Sequence, residues 1–580
     1  DEIMSQLPTL IADLALILIC AGIMTLLFKK LKQPLVLGYV VAGFLASPHM
    51  PYTPSVMDTA NIKTWADIGV IFLLFALGLE FSFKKIVKVG GSAIIAACTI
   101  IFCMILLGIG VGMGFGWHRM DSLFLGGMIA MSSTTIIYKA FDDLGLRKKQ
   151  FTGLVLSILI LEDILAIVLM VMLSTMAVSH NFEGTEMLES IGKLLFFLIL
   201  WFVVGIYLVP EFLKRCRKLM GEETLLIVSL ALCFGMVVMA ANTGFSAAFG
   251  AFIMGSILAE TIEAESIDRL VKPVKDLFGA IFFVSVGMMV DPAMIVEYAI
   301  PILVITLAVI LGQSVFGTFG VILSGKPLKT AMQCGFSLTQ IGEFAFIIAS
   351  LGVSLHVTSD FLYPIVVAVS VITTFLTPYM IRLAEPASTF VDAHLPVSWR
   401  KFLMRYSSGS QTALNHENLW KKLILAMVRI TVVYSIVSIS IIALSFRFVI
   451  PFFKENLPHL GASLLGAVFI ILCIAPFLRA IMVKKNHSVE FMTLWHANRA
   501  NRAPLVSTIV IRIMIAALFV IFVISGLFKA SIGLVIGVAV LVVLLMVWSR
   551  RLKKQSISIE RRFFQNLRSR DVRAEYLGEK

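Results

Sequence analysis

Apolar residues run along this chain in long blocks separated by short polar loops, a pattern that predicts a stack of membrane-crossing helices. Allowing ~20 apolar residues per crossing gives about seventeen spans. Thirteen fall near 10–28, 35–47, 63–80, 91–115, 121–141, 151–177, 190–213, 223–241, 245–261, 274–290, 297–323, 328–355 and 359–384. Four more lie near 421–450, 461–483, 505–527 and 530–548. The polar stretch between the two groups is too short to be a domain. The expected division is therefore a membrane domain over 1–384, a cytoplasmic linker over 385–419, an accessory four-helix membrane region over 420–549 and a charged tail over 550–580, helical in part.

Two of these spans are unusually polar in the middle. The fifth contains Ser132-Ser133-Thr134-Thr135, four consecutive hydroxyl residues. Such a run makes a poor membrane helix but a ready source of oxygen ligands, and a break there would free backbone carbonyls as well. The twelfth mirrors it with Gly335, Ser337, Thr339, Gln340, Gly342 and Glu343. Polar interruptions at corresponding places in two halves of a chain point to crossed, broken helices of an inverted-repeat transporter. The run Gly108, Gly112, Gly116 is read more plainly, as one small-residue helix face suited to close packing.

The sixth span carries two adjacent acids, Glu162 and Asp163, and nothing else ionisable between Phe151 and Met172. A charged side chain at the bilayer centre costs at least ~2.5–3.5 kcal/mol on insertion scales, so a pair of them needs a reason. One reason is a buried pairing with a basic side chain on another helix. The other is that they bind a cation or a proton in a water-reachable cavity, where two neighbouring acids titrate as a coupled pair. The Ser132, Ser133 and Thr134 hydroxyls would then complete an oxygen shell for potassium or sodium, and Glu343 would balance the dipoles of the broken helices.

Composition agrees with a polytopic membrane protein: the chain is 59% hydrophobic and only 14% charged, against about 25% charged in soluble domains. The net charge of +13 does not indicate a nucleic-acid partner, because the bases sit in short loops between spans. Clusters at Lys29/Lys30/Lys32, Lys84/Lys85/Lys88, Arg147/Lys148/Lys149, Lys214/Arg215, Arg269/Lys272, Lys326/Lys329 and Arg400/Lys401 all follow odd-numbered spans. The positive-inside rule then puts the amino terminus outside and the carboxyl terminus in the cytoplasm. The first apolar run follows Asp1 and Glu2 and lacks the basic start of a signal peptide, so it is read as a true helix. Seven scattered cysteines without a C-x-x-C, and nine histidines without ligand spacing, predict neither disulfides nor a metal centre. No cofactor and no enzyme activity are expected. Arg429, Arg447, Arg479 and Arg512 in the last four spans lie near span ends, from which they can snorkel to the interface.

Several separated motifs carry a family resemblance: Leu37–Gly43, Phe75–Phe81, Ser132–Thr134, Leu161-Glu162-Asp163, Gly250–Ala259, Phe282–Met288 and Gln340–Phe346. Together they resemble the cation:proton antiporter superfamily, in the branch of the Kef-type potassium/proton antiporters, over about residues 10–384. The resemblance implies an all-α, sodium/proton-antiporter-like fold of about thirteen core helices with crossed discontinuous helices, split into dimerisation and core subdomains, in a homodimer of the inner (plasma) membrane. By motif match Asp163 is the essential carboxylate that takes cation or proton in competition. The site would comprise Asp163, Glu162, Ser132, Ser133 and Thr134, with Glu343, Gln340 and Gln313 in support. Glu162 departs from the family, standing where relatives carry Asp, Asn or Gln, and the eleventh span has Gln313 as its only strong polar group and not the lysine with which some electrogenic members pair the core acid.

The expected activity is exchange of a monovalent alkali cation, potassium favoured and sodium second, for protons by alternating access among membrane lipids. A sensor or scaffold on the same fold is the main alternative. A gated cation channel is another, but no carbonyl filter such as T-V-G-Y-G occurs. An intramembrane aspartyl protease would need Y-D and G-x-G-D strings, which are also missing.

Overall fold

The computed structural model describes residues 8–50, 54–80, 91–179, 184–413, 419–486, 488–497, 502–529 and 531–567. Phe81, the cluster Lys84/Lys85/Lys88 and the tail beyond Leu567 lie outside the described residues, as does the polar stretch 180–183. All regular structure among the described residues is helical, in two compact units: 1–191, 219–259 and 263–413 form one, and 192–218, 260–262 and 414–580 form the other.

The first unit runs α1 (Thr9–Lys30), α2 (Leu35–Leu45), α3 (Thr59–Glu80), α4 (Gly91–Gly114), α5 (Arg119–Ile129), α6 (Thr134–Asp143), α7 (Gln150–Ser179) and the opening turns of α8 (Gly184–Cys216). It continues with α9 (Glu222–Asn242), α10 (Ala247–Ala259), α11 (Ala264–Met288), α12 (Pro292–Glu297), α13 (Ala299–Leu323), α14 (Leu328–Ser337), α15 (Glu343–Ser354), α16 (Leu362–His394) and α17 (Val397–Ala413). The glycine-bearing motifs pack in pairs. A Cβ on Gly43 of α2 would lie 1.9 Å from the Val284 carbonyl of α11, and one on Gly255 of α10 would lie 2.3 Å from the Phe75 carbonyl of α3. These helices approach backbone to backbone, which only residues without side chains permit.

Both polar spans are broken, as their composition predicts. The fifth divides into α5 and α6 around Ala130–Ser133, and the twelfth into α14 and α15 around Leu338–Gly342. Serine and threonine hydroxyls compete for backbone groups and favour helix ends over helix interiors. Ser133 shows the effect directly: its Oγ accepts the Ile136 N–H at 3.3 Å and so caps α6.

Twelve helices among the described residues are long and apolar enough to cross a membrane, and a bent pair at the carboxyl end makes a thirteenth. The expected spans 35–47 and 245–261 form the shorter α2 and α10, while 274–290 is the apolar end of α11, whose earlier turns expose Arg269 and Lys272. The segment expected as a linker, 385–419, is helical as far as it is described beyond Pro396. α16 continues to His394 because backbone bonding outlasts the apolar pattern, and its polar end is tied by Lys329–Glu385 at 2.8 Å and Arg400–Asp392 at 3.4 Å. Gly108 and Gly112 pack against Gly126 and Ser122, but Gly116 lies past the end of α4 in a left-handed turn (φ 74°) and is not part of that face.

The second unit contains residues 192–218 of α8 with α18 (Leu419–Leu444), α19 (Ile450–Asn456), α20 (His459–Val483), α21 (Val489–Ala497), α22 (Arg502–Leu527), α23 (Ile532–Trp548) and α24 (Arg550–Leu567). Its core joins Ile470, Ile474 and Leu478 of α20 to Ala516, Val520 and Val523 of α22 and Ala539 and Val543 of α23. A π-turn over Ser445–Val449 joins α18 to α19, next to Pro451, which has no N–H to continue the ladder. Arg512 does not snorkel. It is 4% exposed and donates to the carbonyls of Met482 and Lys484 at 3.0 and 2.7 Å and to Asn486, closing the end of α20. Unbonded carbonyls at a helix end attract a guanidinium more strongly than the interface does.

Candidate functional site

Breaking a helix within the membrane frees N–H and C=O groups that water does not reach, and each left bare costs several kcal/mol. At the crossing of the two broken helices these groups find partners. The two breaks bond each other directly, the Gly342 N–H donating to the Met131 carbonyl at 2.8 Å. Ser132 Oγ donates to the Leu338 carbonyl at 3.1 Å. The remaining groups are met by polar side chains from neighbouring spans. Gln313 Nε2 on α13 donates to the Ile129 carbonyl at 3.2 Å, and Gln340 Nε2 reaches the Ser133 carbonyl at 3.5 Å. Thr373 Oγ1 on α16 accepts the Ile341 N–H at 3.2 Å, while Ser370 Oγ donates to the Ile341 carbonyl at 3.1 Å.

The acids arrive from α7 and α15. Glu162 and Asp163 are consecutive on α7, so their side chains diverge by about 100° around the helix. Glu162, 1% exposed, turns to the break and accepts the Ser132 N–H on Oε2 at 3.2 Å. Asp163, 9% exposed, accepts the Thr134 hydroxyl on Oδ2 at 3.2 Å. Glu343 opens α15, where a carboxylate suits the positive end of the helix dipole. It accepts from Ser133 Oγ at 2.6 Å and from Thr135 Oγ1 at 3.2 Å, joining the starts of α6 and α15. Glu343, Glu162 and Glu80 all act electrostatically on Asp163. Among the described residues no lysine or arginine pairs with Glu162, Asp163 or Glu343, so the alternative of a buried acid locked to a base does not describe this pair.

All eight residues expected at the site therefore gather at or beside one crossing. Of the three hydroxyls expected as an oxygen shell, only Thr134 reaches Asp163; those of Ser132 and Ser133 donate to Leu338 and Glu343, though each keeps lone pairs to offer. Gln313 holds a freed carbonyl. Glu162 Oε1, Gln313 Oε1 and Gln340 Oε1 are buried acceptors with no hydrogen-bond partner. The burial is graded, from Ser133 and Glu162 inside, through half-buried Glu343 and Thr134, to exposed Thr135.

Three participants were missed from sequence, Glu80, Ser370 and Thr373, and Thr135, read as part of the hydroxyl run, was not assigned to the site. Glu80 is the one acid of the Phe75–Phe81 motif. Ser370 and Thr373 belong to a hydroxyl series, with Thr374 and Thr377, that recurs at three- and four-residue intervals along α16. That spacing was the available signal. Asp13 is a further buried acid within a span, but its carboxylate accepts the Met57 and Asp58 N–H groups at 2.8 and 2.9 Å and serves the entry of α3.

The model of the family described as sodium/hydrogen exchanger, transmembrane, matches residues 15–383. The putative cation/proton antiporter YbaL of Escherichia coli (strain K12) is 33% identical over 378 residues, covering 63% of this chain and 67% of its own. The K(+)/H(+) antiporter subunit KhtU of Bacillus subtilis (strain 168) is 29% identical over 350 residues, 60% of this chain and 86% of its own. K(+) efflux antiporter 5 of Arabidopsis thaliana is 29% identical over 385 residues, 65% and 67% of the two chains. The structure of the sodium proton antiporter MjNhaP1 from Methanocaldococcus jannaschii at pH 8 superposes with a TM-score of 0.51 over 66% of this chain and 97% of its own. At 16% identity it shares the fold.

Proposed function

The chain belongs to the transmembrane sodium/hydrogen exchanger family, and from that premise we propose that it exchanges a monovalent alkali cation for protons by alternating access. The observation that carries the reading is the acid cluster at the crossing, Asp163 with Glu162 and Glu343, which has no basic partner among the described residues. Buried carboxylates need a compensating positive charge. An exchanger supplies it in two interchangeable forms, a proton or a partly dehydrated cation.

In this reading Asp163 is the carrier. Its Oδ2 is oriented by Thr134, and its other oxygen takes the ligand, one charge excluding the other. Ser132 and Ser133 contribute lone pairs to the cation shell. Glu162, Gln313 and Gln340 keep the broken backbone in place, and Glu343 ties the two half-helices so that they move as one body. Potassium is the favoured cation, supported by relatives named as a K(+) efflux antiporter and a K(+)/H(+) antiporter subunit, with sodium second. The chain works as a homodimer in the inner membrane, with its carboxyl terminus cytoplasmic as the loop charges support. Residues 1–384 hold the whole transport site, and the helices after 420 are accessory.

Proteoliposomes with an imposed proton gradient provide the test. Added potassium should collapse the gradient, with sodium weaker at equal concentration. A gradient indifferent to every alkali cation, in vesicles shown to contain folded protein, would overturn the reading. Sodium acting and potassium failing would reverse the cation preference.

A further inference from the structure

Helix α24 lies beyond the family match, which ends at residue 383. In 18 residues it carries Arg550, Arg551, Lys553, Lys554, Arg561 and Arg562 against one acid, Glu560. It follows the apolar α23 through a bend of 68°. With α23 crossing the membrane, that bend lays α24 near the bilayer surface and does not carry it away into solvent. Trp548, 84% exposed, is the last residue before the bend, and exposed indoles mark the headgroup level.

One side of α24 is held by protein. Leu552, Ile559, Phe563 and Asn566 recur at three-, four- and seven-residue intervals and are partly buried. Asn566 Nδ2 donates to the Ile206 and Tyr207 carbonyls of α8 at 3.2 and 3.1 Å. Glu560 is paired with Lys484 at the end of α20, which neutralises the only acid. The opposite side carries bases and no acid, with Ser558, Phe564 and Gln565 exposed among them. All six bases are exposed, Arg550, Lys553, Lys554 and Arg561 on that side and Arg551 and Arg562 on its flank, and helical spacing sets Ile557, itself 46% exposed, between Lys553 and Arg550.

We propose that this face is a docking surface for anionic lipid headgroups of the adjoining leaflet, and that lipid charge, through α24 and Asn566, holds α8. A basic helix with an apolar residue among its charges, set at the end of a membrane span, has the chemistry of an interfacial helix. A helix serving a soluble polyanion would need neither the bend nor the apolar residue. The proposal stands apart from the exchange reading, because binding, not flux, reports on it.

The test uses the full chain in nanodiscs of phosphatidylcholine alone, or of two parts phosphatidylcholine to one part phosphatidylglycerol, with hydrogen exchange followed over 550–567. Each base near an anionic surface adds attraction, so exchange should be roughly threefold or more slower in the anionic discs. The protection should vanish in K554Q/R561Q/R562Q while α22 exchanges as before. Molar salt should remove it from the unaltered chain, which tests the same contacts without a substitution. Equal exchange in the two lipids overturns the proposal, and so does protection that survives both salt and neutralisation. Single-stranded RNA protecting the helix in neutral discs as well as phosphatidylglycerol does would also overturn it, in favour of a soluble partner.

Discussion

Ser133 and Glu343 stand 210 positions apart in the chain and share a 2.6 Å hydrogen bond. The same serine hydroxyl caps α6 by accepting the Ile136 N–H. One side chain thus starts the second half of one broken helix and fastens the second half of the other. Glu343→Ala removes the acceptor from a fully buried hydroxyl, at a cost of about 1–3 kcal/mol. It should lower Tm and slow exchange, whereas Glu343→Gln keeps an acceptor and should melt close to the unaltered protein. Equal Tm for all three would show that this bond carries no weight in the crossing.

Asp163→Asn should abolish cation-driven proton flux in proteoliposomes with expression and folding intact. The amide still accepts from Thr134 but neither takes a proton nor offsets a cation. Near-normal flux from this variant would sink the assignment of Asp163 as the carrier.

Glu162→Gln should leave flux measurable, within roughly tenfold, because the amide oxygen can still accept the Ser132 N–H. The coupling between two adjacent acids is lost, so the pH optimum or voltage dependence should move. An inactive Glu162→Gln beside an active Asp163→Asn would exchange the two roles.

Gly342→Ala tests the closeness of the crossing. A Cβ there would lie 2.5 Å from the Ser132 carbonyl oxygen and 2.7 Å from the Ser133 nitrogen. Both are backbone atoms, so relief requires the two breaks to separate and the Gly342–Met131 bond to lengthen. Loss of exchange with a Tm drop of several degrees is expected. Gly235→Ala, where a Cβ meets nothing within 4 Å, should be silent in the same assays. A silent Gly342→Ala would mean that the contact yields without cost.

A chain ending at residue 419 retains every residue named at the crossing and should still exchange protons for an alkali cation. It loses the partners that accompany residues 192–218 of α8 in the second unit, including Asn566. Lower Tm and lower yield are therefore expected, with surviving flux. A folded, dimeric, inert protein of that length would make the last helices part of the mechanism.

The local order of residue types determined a good deal. Span positions followed from runs of apolar residues, since hydropathy is a property of each segment by itself. The two breaks were legible because four hydroxyls in a row, or Thr339-Gln340 with flanking glycines, weaken a membrane helix wherever it lies. Glu162 and Asp163 stood out for the same reason: charge in an apolar span is conspicuous without any neighbour.

What each polar group bonds was decided only by tertiary structure. Gln313 and Ile129 are 184 positions apart, and Ser132 and Leu338 are 206 apart. No periodicity along the chain encodes such pairings, so hydroxyls expected around an ion are found bracing backbone, and Glu80, Ser370 and Thr373 entered unannounced. Arg512 looked like an interfacial residue because its position near a span end was all that could be read; the carbonyls it closes belong to another helix. α16 likewise outran its apolar stretch, and α8 from residue 192 onward groups with the second unit, because helix length and packing partners depend on backbone bonding and surface fit. Those are relations between segments, which composition within a segment does not contain.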